Sequence, residues 1–327
     1  MVFSNYLVQA LQGQILGQEY AVTALTRAVT LAMTGMFYRN RPLAVLLFVG
    51  PIGSGKTHAA QALSRVLLGN EKKMIFVDCQ QLSNGTDPLL NLQQQLMMGC
   101  WRSQTAPPHF RSPFSVILIE DVDKATPVLR DNLVLGIDRG EILTPGGFFS
   151  LRNAFIILTT TITRKKADQL IGRTIGFFKE GETAIEMPRQ HMMMLEEIDS
   201  MLGTPLVSRI DEIIIFERLT EQNIVTLLER QISEIERFLA DYSIGFIIDQ
   251  GAKTFLLRGG LEDLTHGVRQ IKRVIRNHLE FPLADLMLSR RLVPGTTVIV
   301  KYEPPRSFLN FQILIPMLAP AAQWAAV

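Results

Sequence analysis

The stretch Gly50-Pro51-Ile52-Gly53-Ser54-Gly55-Lys56-Thr57 decides the fold of this chain. It matches G-x-x-x-x-G-K-[ST], a phosphate-binding loop. The apolar run 44–49 before it predicts a strand, and residues 58–67 after it predict a helix. The glycines let backbone N–H groups turn towards phosphate oxygens, and the helix N-terminus adds positive potential. We therefore expect all eight residues to line a nucleotide, with Lys56 on its β- and γ-phosphates and Thr57 on Mg²⁺.

The composition is that of a globular protein with room for two domains. The chain has 327 residues, of which 47% are hydrophobic and 20% charged. Its net charge of +2 is too small to indicate nucleic acid as a partner. Cys79 and Cys100 show no metal or redox spacing, and the N-terminus has no basic region typical of a signal peptide. These features predict a cytoplasmic protein.

Three more short apolar runs, interspersed with helical patterns, predict further strands of one sheet. They cover residues 74–78, 115–119 and 154–159, and a helix is predicted over 19–37. Residues 80–112 lack a clear pattern and are interpreted as an insertion. The alternation predicts an α/β fold of the P-loop NTPase type, with a parallel sheet covered by helices.

The pattern changes near Arg218, where a smaller and mainly helical domain is predicted to begin. Thr220 is expected to cap a helix running to Tyr242. Further helices are predicted over 247–258 and 266–290, and a strand over 296–301. The predicted division is a nucleotide-binding large domain over 1–217, a small domain over 218–304 and an apolar tail over 305–327.

The tail has no charged side chain from Ser307 to Val327. Pro316 and Pro320 interrupt it, which argues against a membrane span. Two interpretations stay open: a strand or hook packed on the body of the protein, or a segment that binds a partner.

Two adjacent carboxylates end the third predicted strand, Glu120 and Asp121. A nucleotide hydrolase needs one carboxylate to orient the Mg²⁺ shell and another to position the attacking water. The sequence therefore predicts that Glu120 joins Thr57 at the metal and that Asp121 serves the water.

Five further segments follow one another in a recognisable order. They are Ile15-Leu16-Gly17-Gln18, residues 116–125, residues 152–159, the stretch Ser208-Arg209-Ile210-Asp211-Glu212 with its apolar continuation to 216, and residues 267–273. With the phosphate loop, they resemble the motifs of an AAA+ ATPase of the Clp unfoldase type. The resemblance is to the second ATPase module of that family with its C-terminal small domain, over residues 7–304.

The resemblance implies roles for several residues. Ile15 and Leu16 would lie on the adenine side of ATP, and Thr161 would take the sensor 1 position. Arg209 would reach the γ-phosphate of a neighbouring subunit, which implies a homo-oligomer, either a hexameric ring or a helical filament. Arg269, from the small domain, would contact the nucleotide of its own chain. ATP and Mg²⁺ are the implied cofactors, and a protein is the implied substrate or partner.

Three departures from the family bear on activity. The segment 116–125 resembles the family's Walker B motif, in which Asp precedes Glu, whereas Glu120 precedes Asp121 here. A misplacement of a catalytic carboxylate by about 1 Å can cost about 100-fold in rate. Thr161 replaces the usual Asn. The aromatic pore loop is missing, and the matching stretch is 95–101. Its Met and Trp side chains could grip a polypeptide, or the stretch could pack locally or bind a dedicated partner.

Three functions are compatible with these residues. The first is an ATPase of low intrinsic rate that assembles and remodels a protein partner. The second is a scaffold that ATP switches with little turnover, similar to torsin-like relatives that depend on partners. The third is a helper in DNA transactions, which the basic run Arg164-Lys165-Lys166 suggests and the near-neutral charge argues against. The chain starts close to the second module, so a complete disaggregase is not expected.

Overall fold

The computed structural model describes residues 2–34, 40–83, 87–102, 115–161, 196–261, 268–304 and 308–315. By internal contacts the chain divides into two compact units, Met1–Arg218 and Leu219–Val327.

A five-stranded parallel sheet forms the centre of the first unit. The strands of this unit are β1 (Ala44–Gly50), β2 (Ile75–Asp78), β3 (Ser115–Glu120), β4 (Glu141–Thr144), β5 (Gly147–Ser150), β6 (Ala154–Thr161) and β7 (Glu212–Ile215). The order in the sheet is β2-β3-β6-β1-β7, whereas β4 and β5 form a separate hairpin. β1 is buried at every position, as an apolar central strand covered on both faces should be.

Helices cover both faces of this sheet. They are α1 (Val2–Gln12), α2 (Glu19–Met33), α3 (Lys56–Leu68), α4 (Cys79–Ser83), α5 (Pro88–Arg102), α6 (Pro127–Arg139), α7 (196–202) and α8 (Thr204–Val207). α1 to α3 pack with Leu46 and Phe48 of β1 in one apolar cluster. α4 to α8 pack with Leu47 and Val49 in the other. The α/β class predicted from the sequence is confirmed.

The second unit combines helices with a small sheet around an apolar cluster. Its elements are α9 (Glu221–Asp241), β8 (Gly245–Ile248), α10 (Gln250–Leu261), α11 (Val268–Ile275), a π-helical segment (Arg276–Glu280), α12 (Phe281–Leu288), β9 (Thr297–Lys301) and β10 (Asn310–Leu314). The strand order is β10-β9-β8. As predicted, Thr220 caps α9, since its hydroxyl accepts the N–H of Asn223 at 3.3 Å.

Several sequence predictions about elements were wrong. The described part of 80–112 contains two helices, α4 and α5, in place of an unpatterned insertion. The second unit has more strand than the single run predicted over 296–301. The helix predicted from 247 begins only at Gln250, because Phe246 to Ile248 pair with β9 and Asp249 caps the helix at the N–H of Ala252.

The apolar tail contributes β10, which pairs antiparallel with β9. This agrees with the interpretation of the tail as a strand packed on the body. Residues 316–327 lie outside the described part of the chain. Among the described helices, none is both long enough and apolar enough to cross a membrane.

Candidate functional site

The phosphate loop lies between the end of β1 at Gly50 and the start of α3 at Lys56. Gly53 and Gly55 have φ values of 76° and 101°, in the region that favours glycine. Gly50 is required by packing, because a Cβ there would lie 2.5 Å from the carbonyl oxygen of Phe216. The motif is therefore folded as the loop that its glycines predict.

Two polar side chains of the loop fit an anionic ligand. The buried Lys56 Nζ donates to the carbonyl oxygens of Gly50 at 2.7 Å and Pro51 at 2.9 Å. The Ser54 hydroxyl is buried and has no hydrogen-bond partner among the described residues. A buried ammonium and an unsatisfied hydroxyl at the N-terminus of α3 suit phosphate oxygens, which accept hydrogen bonds and carry negative charge. The residues present thus fit a nucleoside triphosphate.

Thr57 and Glu120 come together beside this loop. They lie on α3 and at the carboxyl end of β3, and the Thr57 hydroxyl donates a hydrogen bond to Glu120 Oε1. Asp78, at the end of β2, is the register partner of Glu120. Hydroxyl and carboxylate oxygens are ligands that Mg²⁺ accepts. Thr57 and Glu120 are therefore able to hold Mg²⁺ in the way that the sequence predicts.

Asp121 has a left-handed backbone conformation and an occupied carboxylate. Its φ is 52°, in the region that favours glycine and that aspartate adopts more often than most other residues. Its Oδ2 accepts a hydrogen bond from Lys124 Nζ at 2.6 Å, and this bond raises the pKa of Lys124. The carboxylate expected to position water is thus engaged by a cation of its own chain.

Thr161 ends β6 directly beside the phosphate loop, where it is the register partner of Gly50. The neighbouring Thr160 hydroxyl donates to Asp123 Oδ1 at 2.8 Å, which joins β6 to the turn after β3.

Cys79, at the start of α4, is buried. Burial, and after it the charges of nearby aspartates, raise the pKa of its thiol to about 12. Its thiol is therefore neutral near pH 7, and we assign it no chemistry.

The segment expected on the adenine side packs against the same loop and helix. Ile15 is buried and Leu16 half-buried. A ring nitrogen of His58, on α3, lies 3.2 Å from the carbonyl oxygen of Gln14. The buried Gln18 amide donates to the carbonyl oxygen of Ser54 at 3.1 Å. The predicted adenine-side and phosphate-side segments are therefore neighbours in the fold.

The two predicted arginines belong to different units of the chain. Arg209 follows α8, and its Nε and Nη2 both donate to Asp138 Oδ2, at 2.8 and 2.5 Å. Its Nη1 donates to the carbonyl oxygen of Pro205. Arg269 lies on α11, in the second unit. Their contacts with nucleotide stay predictions.

The stretch compared with the pore loop, 95–101, is helical and forms the end of α5. Leu92 and Leu96 of α5 are buried in the core, while Met97 is 59% exposed. The side chains of residues 98–102 lie outside the described part of the chain.

Sequence reasoning missed three residues that contact the predicted site. Lys124 lies within the segment 116–125 and has no signal of its own, and Asp138 has none because 71 positions separate it from Arg209. Gln18 was read as part of the adenine-side motif without a partner of its own. The contacts of the Gln18 amide become visible only in the structure, where the amide is buried.

Comparison with known proteins places the chain in a family. A family model described as "AAA domain (Cdc48 subfamily)" matches residues 41–213, more than half of the chain, so the chain belongs to this family. A second model, described as the C-terminal, D2-small domain of ClpB protein, matches residues 219–300. The predicted resemblance to the second ATPase module of Clp proteins with its small domain is thereby confirmed.

Individual relatives carry Clp names. The chain is 29% identical over 300 residues to the chaperone protein ClpB of Aquifex aeolicus (strain VF5), covering 91% of this chain and 29% of that protein. It is 26% identical over 300 residues to the ATP-dependent Clp protease ATP-binding subunit ClpC of Staphylococcus aureus (strain USA300), covering 91% and 36%. The chain thus spans about a third of the length of these curated relatives.

Proposed function

We propose that the chain is an ATP- and Mg²⁺-binding AAA+ protein that assembles into a hexameric ring or a helical filament and uses ATP to remodel a protein partner. Lys56 and Ser54 bind phosphate oxygens, Thr57 and Glu120 hold Mg²⁺, and Asp121 positions the attacking water. Arg209 completes the site of the adjacent subunit, and Arg269 senses the nucleotide of its own chain. Mg²⁺ supplies charge neutralisation on the β- and γ-phosphates.

The hydrogen bond from Thr57 to Glu120 is the observation that carries this proposal. It joins the last residue of the phosphate-loop motif to the carboxyl end of β3, and these two side chains would hold Mg²⁺, which would neutralise charge on the phosphates. The family match and the Clp names of the relatives support a protein as the substrate class. The free Cys79 is compatible with our proposal of a cytoplasmic location.

A second function, an ATP-switched scaffold with little turnover, is favoured by one observation. Asp121 is bound to Lys124 at 2.6 Å, and its side chain is one methylene shorter than the glutamate that the family has at this position. A carboxylate held in this way is poorly placed to orient a water molecule at a phosphate. The two functions differ in the rate of phosphate release.

Exchanging the two carboxylates tests which function holds. We expect the double change Glu120→Asp with Asp121→Glu to raise the hydrolysis rate, because the longer side chain at 121 reaches further towards the nucleotide. Given that misplacement by about 1 Å can cost about 100-fold, the increase should be at least about tenfold. Single-turnover phosphate release at saturating Mg²⁺·ATP measures it.

Lys124→Met serves as the matched variant for this experiment, since it removes the ion pair and keeps the carboxylate order. An increase in the exchanged protein alone shows that the order limits the rate, whereas an increase in Lys124→Met alone shows that the ion pair does. A fast rate of ATP hydrolysis in the wild type, lowered when the two carboxylates are exchanged, would contradict our view that Asp121 limits hydrolysis.

A further inference from the structure

Gln18 connects the phosphate loop to the end of the first unit. Its Nε2 donates to the carbonyl oxygen of Ser54 at 3.1 Å and to that of Glu217 at 2.8 Å. Its Oε1 accepts the backbone N–H of Glu217 at 2.9 Å. Both amide hydrogens and the amide oxygen are thus used, and the side chain is only 3% exposed.

Both ends of this connection are tightly placed. Gln18 itself is the N-cap residue of α2, and its carbonyl oxygen accepts the N–H of Val22 at 2.9 Å. The segment Phe216–Glu217 continues β7 beside β1, and the N–H of Phe216 donates to the carbonyl oxygen of Val49 at 2.8 Å. Gly50 approaches Phe216 so closely that no Cβ would fit. The backbone of the phosphate loop therefore contacts the segment Phe216–Glu217 in two ways. One is through the Gln18 side chain, and the other is the close approach of Gly50 to Phe216.

The chemistry of the connection makes it sensitive to loop conformation. A carbonyl that is removed from water and loses its donor costs free energy, so the buried Ser54 and the half-buried Glu217 are held to one geometry while Gln18 is present. The Ser54 hydroxyl and the Lys56 ammonium flank this anchored carbonyl and are the groups that fit phosphate. Phosphate binding at these groups and the hydrogen bonds of Glu217 are therefore linked through the Gln18 side chain.

We infer that Gln18 is a positioning residue that couples the phosphate loop to the segment Phe216–Glu217, which leads into the second unit at Leu219. This inference rests on the proposed nucleotide site. Both N–H donors of the Gln18 amide are used within the chain, so we expect it to act on nucleotide affinity by holding the loop. Nucleotide bound at the loop, in turn, stabilises the hydrogen bonds at Glu217, because coupling between two sites is reciprocal.

Hydrogen–deuterium exchange, with and without Mg²⁺ and a slowly hydrolysed ATP analogue, tests this coupling. In the wild-type protein we expect the nucleotide to slow exchange in peptides covering 50–57 and also 213–219. In Gln18→Ala at saturating nucleotide, 50–57 should remain protected while the effect on 213–219 is lost. The nucleotide Kd, measured by fluorescence titration, should rise about fivefold, the lower end of typical coupling factors.

Two further variants distinguish a loss of the coupling from a general loss of structure. Gln14→Ala changes a glutamine of the same segment whose side chain bonds to Ala10 and Arg65 and should leave the coupling intact. Gln18→Glu keeps the size and the acceptor for Glu217 but cannot donate to Ser54, so it should lose the coupling even where Gln18→Ala fails to fold. Thermal unfolding without nucleotide identifies any variant that has failed to fold.

The outcomes separate this inference from the proposed function. The inference is overturned if nucleotide protects 213–219 equally in wild type, Gln18→Ala and Gln18→Glu. It is also overturned if nucleotide protects only 50–57 in the wild type. Absence of any protection at 50–57 in the wild type overturns the proposed nucleotide site instead, whatever Gln18 does.

Discussion

Replacement of Lys56 by alanine is expected to weaken ATP·Mg²⁺ binding at least about tenfold, or about 1.4 kcal/mol. The ammonium is buried at the start of α3 and already donates to the carbonyl oxygens of Gly50 and Pro51. A triphosphate offers it charged acceptors in the same place, and charge-assisted hydrogen bonds are about twice as strong as neutral ones. Titration with a fluorescent ATP analogue measures the loss.

Lys73→Ala is the matched control for this experiment. Lys73 donates to the carbonyl oxygen of Leu68 at 3.0 Å, at the opposite end of the same helix, so its removal also leaves a carbonyl without that donor. The control should bind nucleotide as the wild type does. Equal affinity of wild type and Lys56→Ala would contradict the assignment of the loop.

Replacement of Arg209 by alanine is expected to raise the protein concentration needed for ATP-induced assembly at least about tenfold, since hydrogen bonds to charged groups contribute about 1.5–3 kcal/mol. An arginine that completes the site of a neighbour binds nucleotide only in the assembled state, so ATP favours assembly by mass action. A contact of this head-to-tail kind closes into a ring or continues as a helix. Light scattering with a slowly hydrolysed ATP analogue measures the effect.

The ion pair of Arg209 with Asp138 provides the control. Asp138→Asn keeps the guanidinium and weakens its partner, so ATP-induced assembly should persist. Arg27→Ala removes another arginine, one that is paired with Glu212 of the same motif and is 72% exposed, and should also leave assembly intact. If Asp138→Asn abolishes assembly as fully as Arg209→Ala, the arginine stabilises its own chain and our trans-acting role is wrong.

The sequence was sufficient for those parts of the fold that depend on local patterns. β1, β3 and β6 are runs of apolar residues buried on both faces, and such runs are visible without any structure. The phosphate loop follows from its glycines and its two flanks. The proximity of Thr57 and Glu120 was also predictable, because the carboxyl ends of parallel strands lie at one edge of the sheet and the phosphate loop follows the carboxyl end of β1.

Other elements were misread because their signals are short or ambiguous. β8 has four residues and only Asp249 separates it from the following helix, so the helical pattern appeared to begin at 247. α5 contains three consecutive glutamines and a glycine, and Leu92 and Leu96 are the only buried residues among the side chains of α5 that the structure describes. Tertiary packing overrides such weak local preferences.

The contacts that tune the site could not be predicted from the chain. Gln18 meets Glu217 across 199 positions, and Arg209 meets Asp138 across 71. Neither pair has a periodic or compositional signal. The ion pair of Asp121 with Lys124 is local, but a spacing of three residues outside an α-helix does not by itself predict a contact.

Steady-state phosphate release by the purified chain at saturating Mg²⁺·ATP tests most directly whether this protein uses ATP. We expect turnover that is measurable, well below the typical enzyme value of about 10 per second, and lost in Lys56→Ala. Release that is absent, or that is equal in wild type and Lys56→Ala, would contradict an ATP-driven function for the site formed by Lys56, Thr57 and Glu120.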